Sequence, residues 1–521
     1  MKMLKILETK QVAVLALCLL VAMLGTAAEP TPGFNQTIPK SILTEDAVDT
    51  SIGELRFFDG MPDDETVRKL YDNLDTIRAT DVFLNMVPAA SLEGIRRGLE
   101  GLGVTKPNQV MMFDQLLDSN PLFLTGNTDT VYSVVIFDLS RDGPVVVEIP
   151  PGSGPSTVND AYFRFVTDMG APGPDRGKGG KYLILPHDYE GDIPKGYFTA
   201  TSPSAINLMV LRGFLVDGKT DAAVRSVKEA LKIYPLNKKD NPPEMKFISG
   251  SKIPFNTVHA NDSSFFDEIN DVIQREPVGF LDPELRGQLA SIGIQKGKPF
   301  EPDARMQRLL RDGIAIGNAT ARALLLQPRD KTAYLYDDRR WYSAFIGGDY
   351  QWLIAGGDGG RNLDARTAFF YGYTLNTPAM VMKMVGAGSQ YAVAASDQSG
   401  NYLDGSKFYR IRIPPNVPAK DFWSMVVYDP QTRSELQTGQ PFPSKNNKRD
   451  SLIVDKDGSI ELYFGPTAPD GKAANWIQTV PGKGWWAIFR LYGPLDAWFD
   501  REWRPGDFEL IGDGFGDSHD H

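Results

Sequence analysis

What most limits the fold of this chain is a series of short segments rich in β-branched and aromatic residues, each closed by turn residues. Residues 131–137 read Val-Tyr-Ser-Val-Val-Ile-Phe, and 145–149 read Val-Val-Val-Glu-Ile before Pro150-Pro151-Gly152 stops them. Residues 162–166 follow in the same style. Short strands at this spacing predict an antiparallel sandwich, which strands at 181–185 and 208–216 complete. The same texture returns beyond Tyr334, at 368–374, 408–413, 422–429, 451–454, 460–464 and 485–492, with Asp457-Gly458 as a hairpin signal.

Helical spacing lies before and between these strands. Val67, Leu70, Leu74 and Ile77 recur at three and four residues, with Asp63 as the N-cap, and a second helix is expected from Pro88 to Gly101-Leu102-Gly103. From Thr220 the chain turns helical: Asp221 caps 222–233, Ser263 or Ser264 caps 265–275, Pro283 follows Asp282 at a first helical position, and 304–326 is long and amphipathic. The order predicts a mainly β protein with a helical insert. Its parts are a signal peptide (1–28), an arm and helices (29–110), a first sandwich (111–219), a helical region (220–333), a second β domain (334–511) and an acidic tail (512–521). The polar, Pro-rich stretch 31–40 reads as an extended arm.

The first 28 residues read as a secretory signal peptide. Lys2, Lys5 and Lys10 precede an apolar run from Val12 to Leu24, and the small residues Thr26 and Ala28 suit cleavage before Glu29. The run is short for a membrane span, so the expected product is periplasmic or secreted, without a membrane span after cleavage. Cleavage removes three Lys and one Glu from a chain whose net charge is already −11. Nucleic acid is therefore not an expected partner. The richest basic tract, Lys445-Asn446-Asn447-Lys448-Arg449, reads as a solvated loop. Cys18, the one cysteine, leaves with the signal peptide, and thiol chemistry, disulfides and Cys-ligated metals leave with it. No cofactor and no metal are expected.

Several separated phrases then resemble one family. Leu55-Arg56-Phe57-Phe58-Asp59-Gly60, Asn127-Thr128-Asp129-Thr130-Val131-Tyr132, Gly180-Lys181-Tyr182-Leu183, Asn475-Trp476-Ile477 and Trp486-Ala487-Ile488-Phe489-Arg490-Leu491-Tyr492-Gly493-Pro494 look like exported proteins that pair domain of unknown function 1254 with domain of unknown function 1214. The resemblance implies an immunoglobulin-like sandwich, a helical insert and a C-terminal jelly roll. It implies no activity, and no catalytic residue is carried over.

Candidate chemistry is sparse. His187 reads as a surface loop residue and His259 as packing near a helix cap, while His519 and His521 sit in the acidic tail; no Gly-x-Ser-x-Gly elbow occurs. Asp455-Lys456-Asp457-Gly458-Ser459-Ile460-Glu461 spaces oxygens as a Ca²⁺ loop does, but reads as a hairpin turn. Gly356-Gly357-Asp358-Gly359-Gly360 reads as a flexible surface loop. Five Trp between Trp476 and Trp503 read as sandwich core.

One position departs from that pattern. Alternation over 485–492 puts Trp485, Ala487, Phe489 and Leu491 on one face and Trp486, Ile488, Arg490 and Tyr492 on the other. If the second face is inward, Arg490 needs a carboxylate partner or an anionic ligand. Tyr162, Arg164 and Val166 repeat the pattern in the first sandwich. Asp129 is either such a partner or an Asx-type cap. The favoured function is binding or processing of a small polar or carbohydrate-like ligand in a C-terminal sandwich pocket, held by Arg490, Tyr492, Trp476 and Asn475 with Asp129. Were it a hydrolase, paired carboxylates would act as acid and base. The competing reading is a structural or interaction module of the cell envelope without a catalytic site. A homo-oligomer is compatible with both.

Overall fold

The computed structural model describes residues 38–512. The expected signal peptide, most of the 31–40 arm and nearly all of the acidic tail, with His519 and His521, lie outside the described residues. The chain divides into a small unit ending at Leu74 and a large one starting at Asp75. In the small unit, strands Ala47–Thr50, Gly53–Phe58 and Met61–Pro62 pair in sequence order. Asp63 Oδ1 accepts from the Thr66 amide at 2.7 Å, which is the expected N-cap of helix Asp64–Gly101.

The large unit holds two pairs of facing sheets. The first pair is a six-stranded sheet (Lys246–Ser249, Gln109–Met112, Thr130–Asp138, Ile206–Phe214, Ser156–Asp160, Phe165–Met169) and a four-stranded one (Phe198–Ser202, Gly180–Pro186, Val145–Ile149, Lys232–Pro235). Val135, Phe137, Met209 and Leu211 of the former close on Val145, Val147, Tyr182 and Ile184 of the latter. The second pair is a five-stranded sheet (Tyr342–Ser343, Ser389–Ala394, Trp486–Pro494, Ala419–Tyr428, Ser444–Asn446) against a four-stranded one (Trp476–Gln478, Ile460–Gly465, Phe408–Ile413, Glu509–Gly512). Pairing is antiparallel except at Lys246–Ser249 with Gln109–Met112, Phe198–Ser202 with Gly180–Pro186, and Trp476–Gln478 with Ile460–Gly465.

A third core joins the two sheet pairs. The outer face of the six-stranded sheet (Tyr132, Val134, Leu208, Val210) and that of the five-stranded sheet (Tyr391, Val393, Tyr428, Ile488) share one hydrophobic cluster with helices that include Asp64–Gly101, Ser264–Arg275, Ala304–Leu326 and Leu363–Gly372. Two of these helices approach closely at glycines. A Cβ on Gly313 would stand 2.5 Å from that of Ala79, and one on Gly317 would meet Phe83 at 2.7 Å.

Among the described residues helix takes 28% and strand 27%, so the expected mainly β balance is replaced by an even one. One reason is that Pro88 does not break its helix, which runs unbroken from Asp64 to Gly101. Proline removes the amide that would bond the Leu84 carbonyl. Here the Thr367 hydroxyl donates to that carbonyl at 2.9 Å, and the Tyr162 hydroxyl donates to the next one, of Asn85. A second reason is that Leu363–Gly372 is a helix where the sequence texture suggests a strand at 368–374. Every residue from Ala365 to Gly372 is buried, so no polar face betrays the helical period.

Other departures have local causes. Asp160 Oδ1 accepts from the amides of Tyr162 and Arg164, both at 2.8 Å, and Phe163 has φ 54°, so 160–164 is a turn and the strand begins at Phe165. Tyr162, Arg164 and Val166 therefore do not repeat the alternation of 485–492. Helix Asp221–Ala230 ends three residues early because Lys232–Pro235 adds to the sheet edge at Val145–Glu148. Residues 451–454 form no strand. Their pairing partner is a side chain: Asn475 accepts from the Ile453 amide at 2.8 Å and donates to its carbonyl at 2.9 Å.

Candidate functional site

Strand Trp486–Pro494 is central in its sheet and alternates as expected. Ala487, Phe489 and Leu491 point into the C-terminal sandwich, whereas Trp486 and Ile488 enter the shared core. Arg490 and Tyr492 continue that second face, and both are buried. Arg490 Nη2 donates to the Thr125 carbonyl at 2.6 Å and to the Tyr428 hydroxyl at 2.8 Å. Its guanidinium lies 4.4 Å from the Tyr391 ring centroid. No ion pair to Arg490 occurs among the described residues. Its charge is spread over carbonyl dipoles and aromatic faces instead.

The loop that receives Arg490 is built by Asn127. Its Oδ1 accepts from the Asp129 amide at 2.9 Å and from the Thr130 amide at 3.1 Å, an Asx-type turn that launches strand Thr130–Asp138. The turn directs Asp129 toward the other sheet. Asn446 Nδ2 donates to Asp129 Oδ1 at 2.9 Å, the Tyr492 hydroxyl donates to Oδ2 at 3.2 Å, and Arg449 Nη1 stands 3.7 Å from Oδ1. Arg449 also clasps Thr128, donating to its carbonyl at 3.0 Å and its hydroxyl at 2.9 Å. The basic tract expected to be a solvated loop is therefore half folded into this seam: Asn446 and Arg449 turn in, while Asn447 and Lys448 stay exposed.

Two features make the seam unusual for a structural interface. Glu435 is 2% exposed, and neither of its carboxyl oxygens has a hydrogen-bond partner. Burial, reinforced by Asp129, pushes its carboxyl far above the ordinary carboxylate range, with Arg490 opposing. Asp129 also borders a pocket of about 200 Å³, lined with it by Phe214, Phe422, Asn446, Lys448 and Arg449 among others. Phe422 stacks on Tyr492 with centroids 4.0 Å apart, and the Lys448 ammonium sits 5.9 Å from the Phe422 ring centroid. The pocket thus offers an aromatic wall and an exposed cation above a polar floor.

Of the five residues singled out from sequence, Arg490, Tyr492 and Asp129 meet here. Asn475 and Trp476 do not. They lie at the other sheet of the C-terminal sandwich: Asn475 ends the 3-10 turn before strand Trp476–Gln478 and holds Ile453 and Glu461, and the Trp476 indole donates to the Gly465 carbonyl at 2.9 Å. Sequence reasoning misses Tyr391, Tyr428, Glu435, Asn446 and Arg449. Tyr428 alone carries a signal, since it falls within the expected strand 422–429. Trp485, Trp486, Trp498 and Trp503 are buried in the cores.

The remaining candidates take bland roles. His187 is exposed in its loop, as expected, with Nδ1 3.8 Å from Asp188 Oδ1. His259 is buried, and burial and the neighbouring Arg433 lower its pKa to about 3, so it packs as a neutral ring. Residues 455–459 form a turn, closed by the Gly458 amide on the Asp455 carbonyl at 2.9 Å. Residues 356 and 357 take positive φ in a loop, as expected of a Gly-rich stretch.

The chain is similar in fold to the VPA0106 protein of Vibrio parahaemolyticus, at 19% identity and a TM-score of 0.51, covering 84% of this chain and 100% of that one. An uncharacterized protein from Burkholderia cenocepacia aligns at 12% identity and a TM-score of 0.40, over 86% of this chain and 97% of that one. No curated protein matches. Family models match on either side of the seam, so the chain pairs a protein-of-unknown-function domain, DUF1254, at residues 107–235 with a second, DUF1214, at residues 388–496, in that order.

Proposed function

We propose that this is an exported binding protein for a small acidic polyhydroxy ligand, such as a sugar acid. The site is the Asp129 pocket in the seam between the two matched segments, rather than a pocket within the C-terminal sandwich. The observation that carries this reading is a set of buried polar groups at and behind that pocket: Asp129 and Asn446 line it, Tyr492 bonds Asp129, and Arg490 and Glu435 lie buried in the same seam. Stability alone does not call for them, because well-packed apolar residues serve a core equally well or better. Perturbed ionisable groups beside a partly apolar pocket are what a ligand site provides. Phe422 would cover the apolar face of a sugar ring, and Lys448 would meet its carboxylate.

The test is a thermal-shift screen of neutral sugars against their acids, glucose against glucuronate first. A ligand at about 100 times its Kd adds about 2.7 kcal/mol of stability. The competing reading, a structural module, draws support from Arg490 itself, which is closed in a filled core. Arg490 holds the seam together, and the ligand sits next to it.

The finer architecture belongs to the same proposal: the first sheet pair is an immunoglobulin-like sandwich and the second a jelly roll. Export rests on the N-terminal pattern. Mass spectrometry of the protein from its native host should give a chain that starts at Glu29 and lacks Cys18. A retained Cys18 would remove the argument for export.

A further inference from the structure

A second cavity lies along the same strand as the first pocket. Arg212 and Phe214 stand two residues apart on strand Ile206–Phe214; Phe214 lines the Asp129 pocket, and Arg212 lines a separate cavity of about 30 Å³. That is room for only a few non-hydrogen atoms. Ser156, Thr157 and Asp168 contribute one wall and Thr377 and Ser389 the other. Arg212 and Asp168 are its only charged lining residues.

Both charged groups are unmatched. The Arg212 guanidinium lies 5.4 Å from the Tyr132 ring centroid and makes no hydrogen bond or ion pair among the described residues. Asp168 is 8% exposed; its Oδ2 accepts from the Thr377 hydroxyl at 2.7 Å, and its Oδ1 has no partner. The two do not pair with each other. Burial raises the Asp168 carboxyl to about 6, against the opposing pull of the Thr377 and Thr157 hydroxyls. Tyr182, bonded to Asp175, is the nearby titratable group on the far sheet, and the 375–389 wall brings no charged lining residue.

A lone guanidinium balances one negative charge and presents a planar fork that fits two oxygens of one group. An acid-form carboxyl nearby supplies one more donor. We propose that this cavity binds a small carboxylate of about acetate size, its oxygens paired with the Arg212 guanidinium beside Asp168. A doubly charged anion would carry more charge than one Arg balances. The site stands independently of the Asp129 pocket.

The test is a calorimetric titration of the whole protein with sodium acetate at about pH 5, at constant ionic strength set with sodium chloride. Saturable binding is expected in the wild type and in Lys448→Met, which alters only the first pocket. Arg212→Met should bind at least tenfold more weakly. A second measurement uses the unaltered protein, so that a misfolded variant cannot blur the answer: at about pH 5 acetate should raise its thermal midpoint, and chloride at the same ionic strength should not. Absence of saturable binding, equal binding by Arg212→Met, a midpoint indifferent to acetate, or chloride competing as well as acetate would each overturn the proposal.

Discussion

Arg490 reaches from the central strand of the five-stranded sheet to the Thr125 carbonyl, 2.6 Å away, and so ties one matched segment to the loop that opens the other's Thr130–Asp138 strand. Its second partner is the Tyr428 hydroxyl, and neither is charged.

Arg490→Met keeps the stem and deletes the guanidinium. It leaves the Thr125 carbonyl unpaired in a closed core, a cost of about 1–3 kcal/mol, and takes its donor from the Tyr428 hydroxyl, which keeps only its own bond to the Gly126 carbonyl at 2.7 Å. A loss of roughly 3 kcal/mol in urea unfolding is expected from the same cost. A loss under about 1 kcal/mol would show that water reaches the seam and that Arg490 is no tie.

Glu435 tests the charge state of the same core. Its carboxyl is driven up by burial and makes no hydrogen bond, surroundings that favour the neutral acid. A neutral Glu435 loses no charge in Glu435→Gln, and stability at pH 7 should then change by less than about 1 kcal/mol. A loss of about 3 kcal/mol or more would mean that Glu435 is ionised and compensates Arg490.

Acid unfolding should be governed by Glu93. Burial alone would raise its pKa, but Arg96 and Arg275 bond it at 2.8 Å and Arg97 at 2.9 Å, and the pKa falls to about 2. A depressed carboxylate contributes stability above its unfolded pKa of about 4.5 and loses it as pH falls toward 2. Each tenfold change in proton affinity is worth about 1.4 kcal/mol, so roughly 3 kcal/mol should disappear over that window. Glu93→Gln should remove it already at pH 7 and flatten the acid limb of the melting curve. An unchanged limb would contradict the assignment.

Much of this is legible where periodicity alone decides. The parity of Trp486, Ile488, Arg490 and Tyr492 follows from strand alternation, and helix Ala304–Leu326 follows from an amphipathic period with Asp303 bonded to the Met306 amide. What alternation does not tell is which surface a face meets. The Arg490 face enters the core shared with the first sheet pair, not its own sandwich. Asn446 and Arg449 turn inward because of Asp129 and Thr128, more than 300 residues earlier, and nothing within the tract itself signals that. Pro88 misleads for the same reason, since Thr367 and Tyr162 come from distant segments.

Ligand binding turns on the pocket above Asp129. The direct measurement is the thermal shift produced by glucuronate and related sugar acids in the wild type and in Lys448→Met, an exposed substitution that spares the core. An acidic sugar should raise the wild-type midpoint, its neutral counterpart should raise it less, and Lys448→Met should lose at least half of the shift. If no polyhydroxy compound moves the wild-type midpoint, or if one moves both proteins equally, the ligand site is not in this seam.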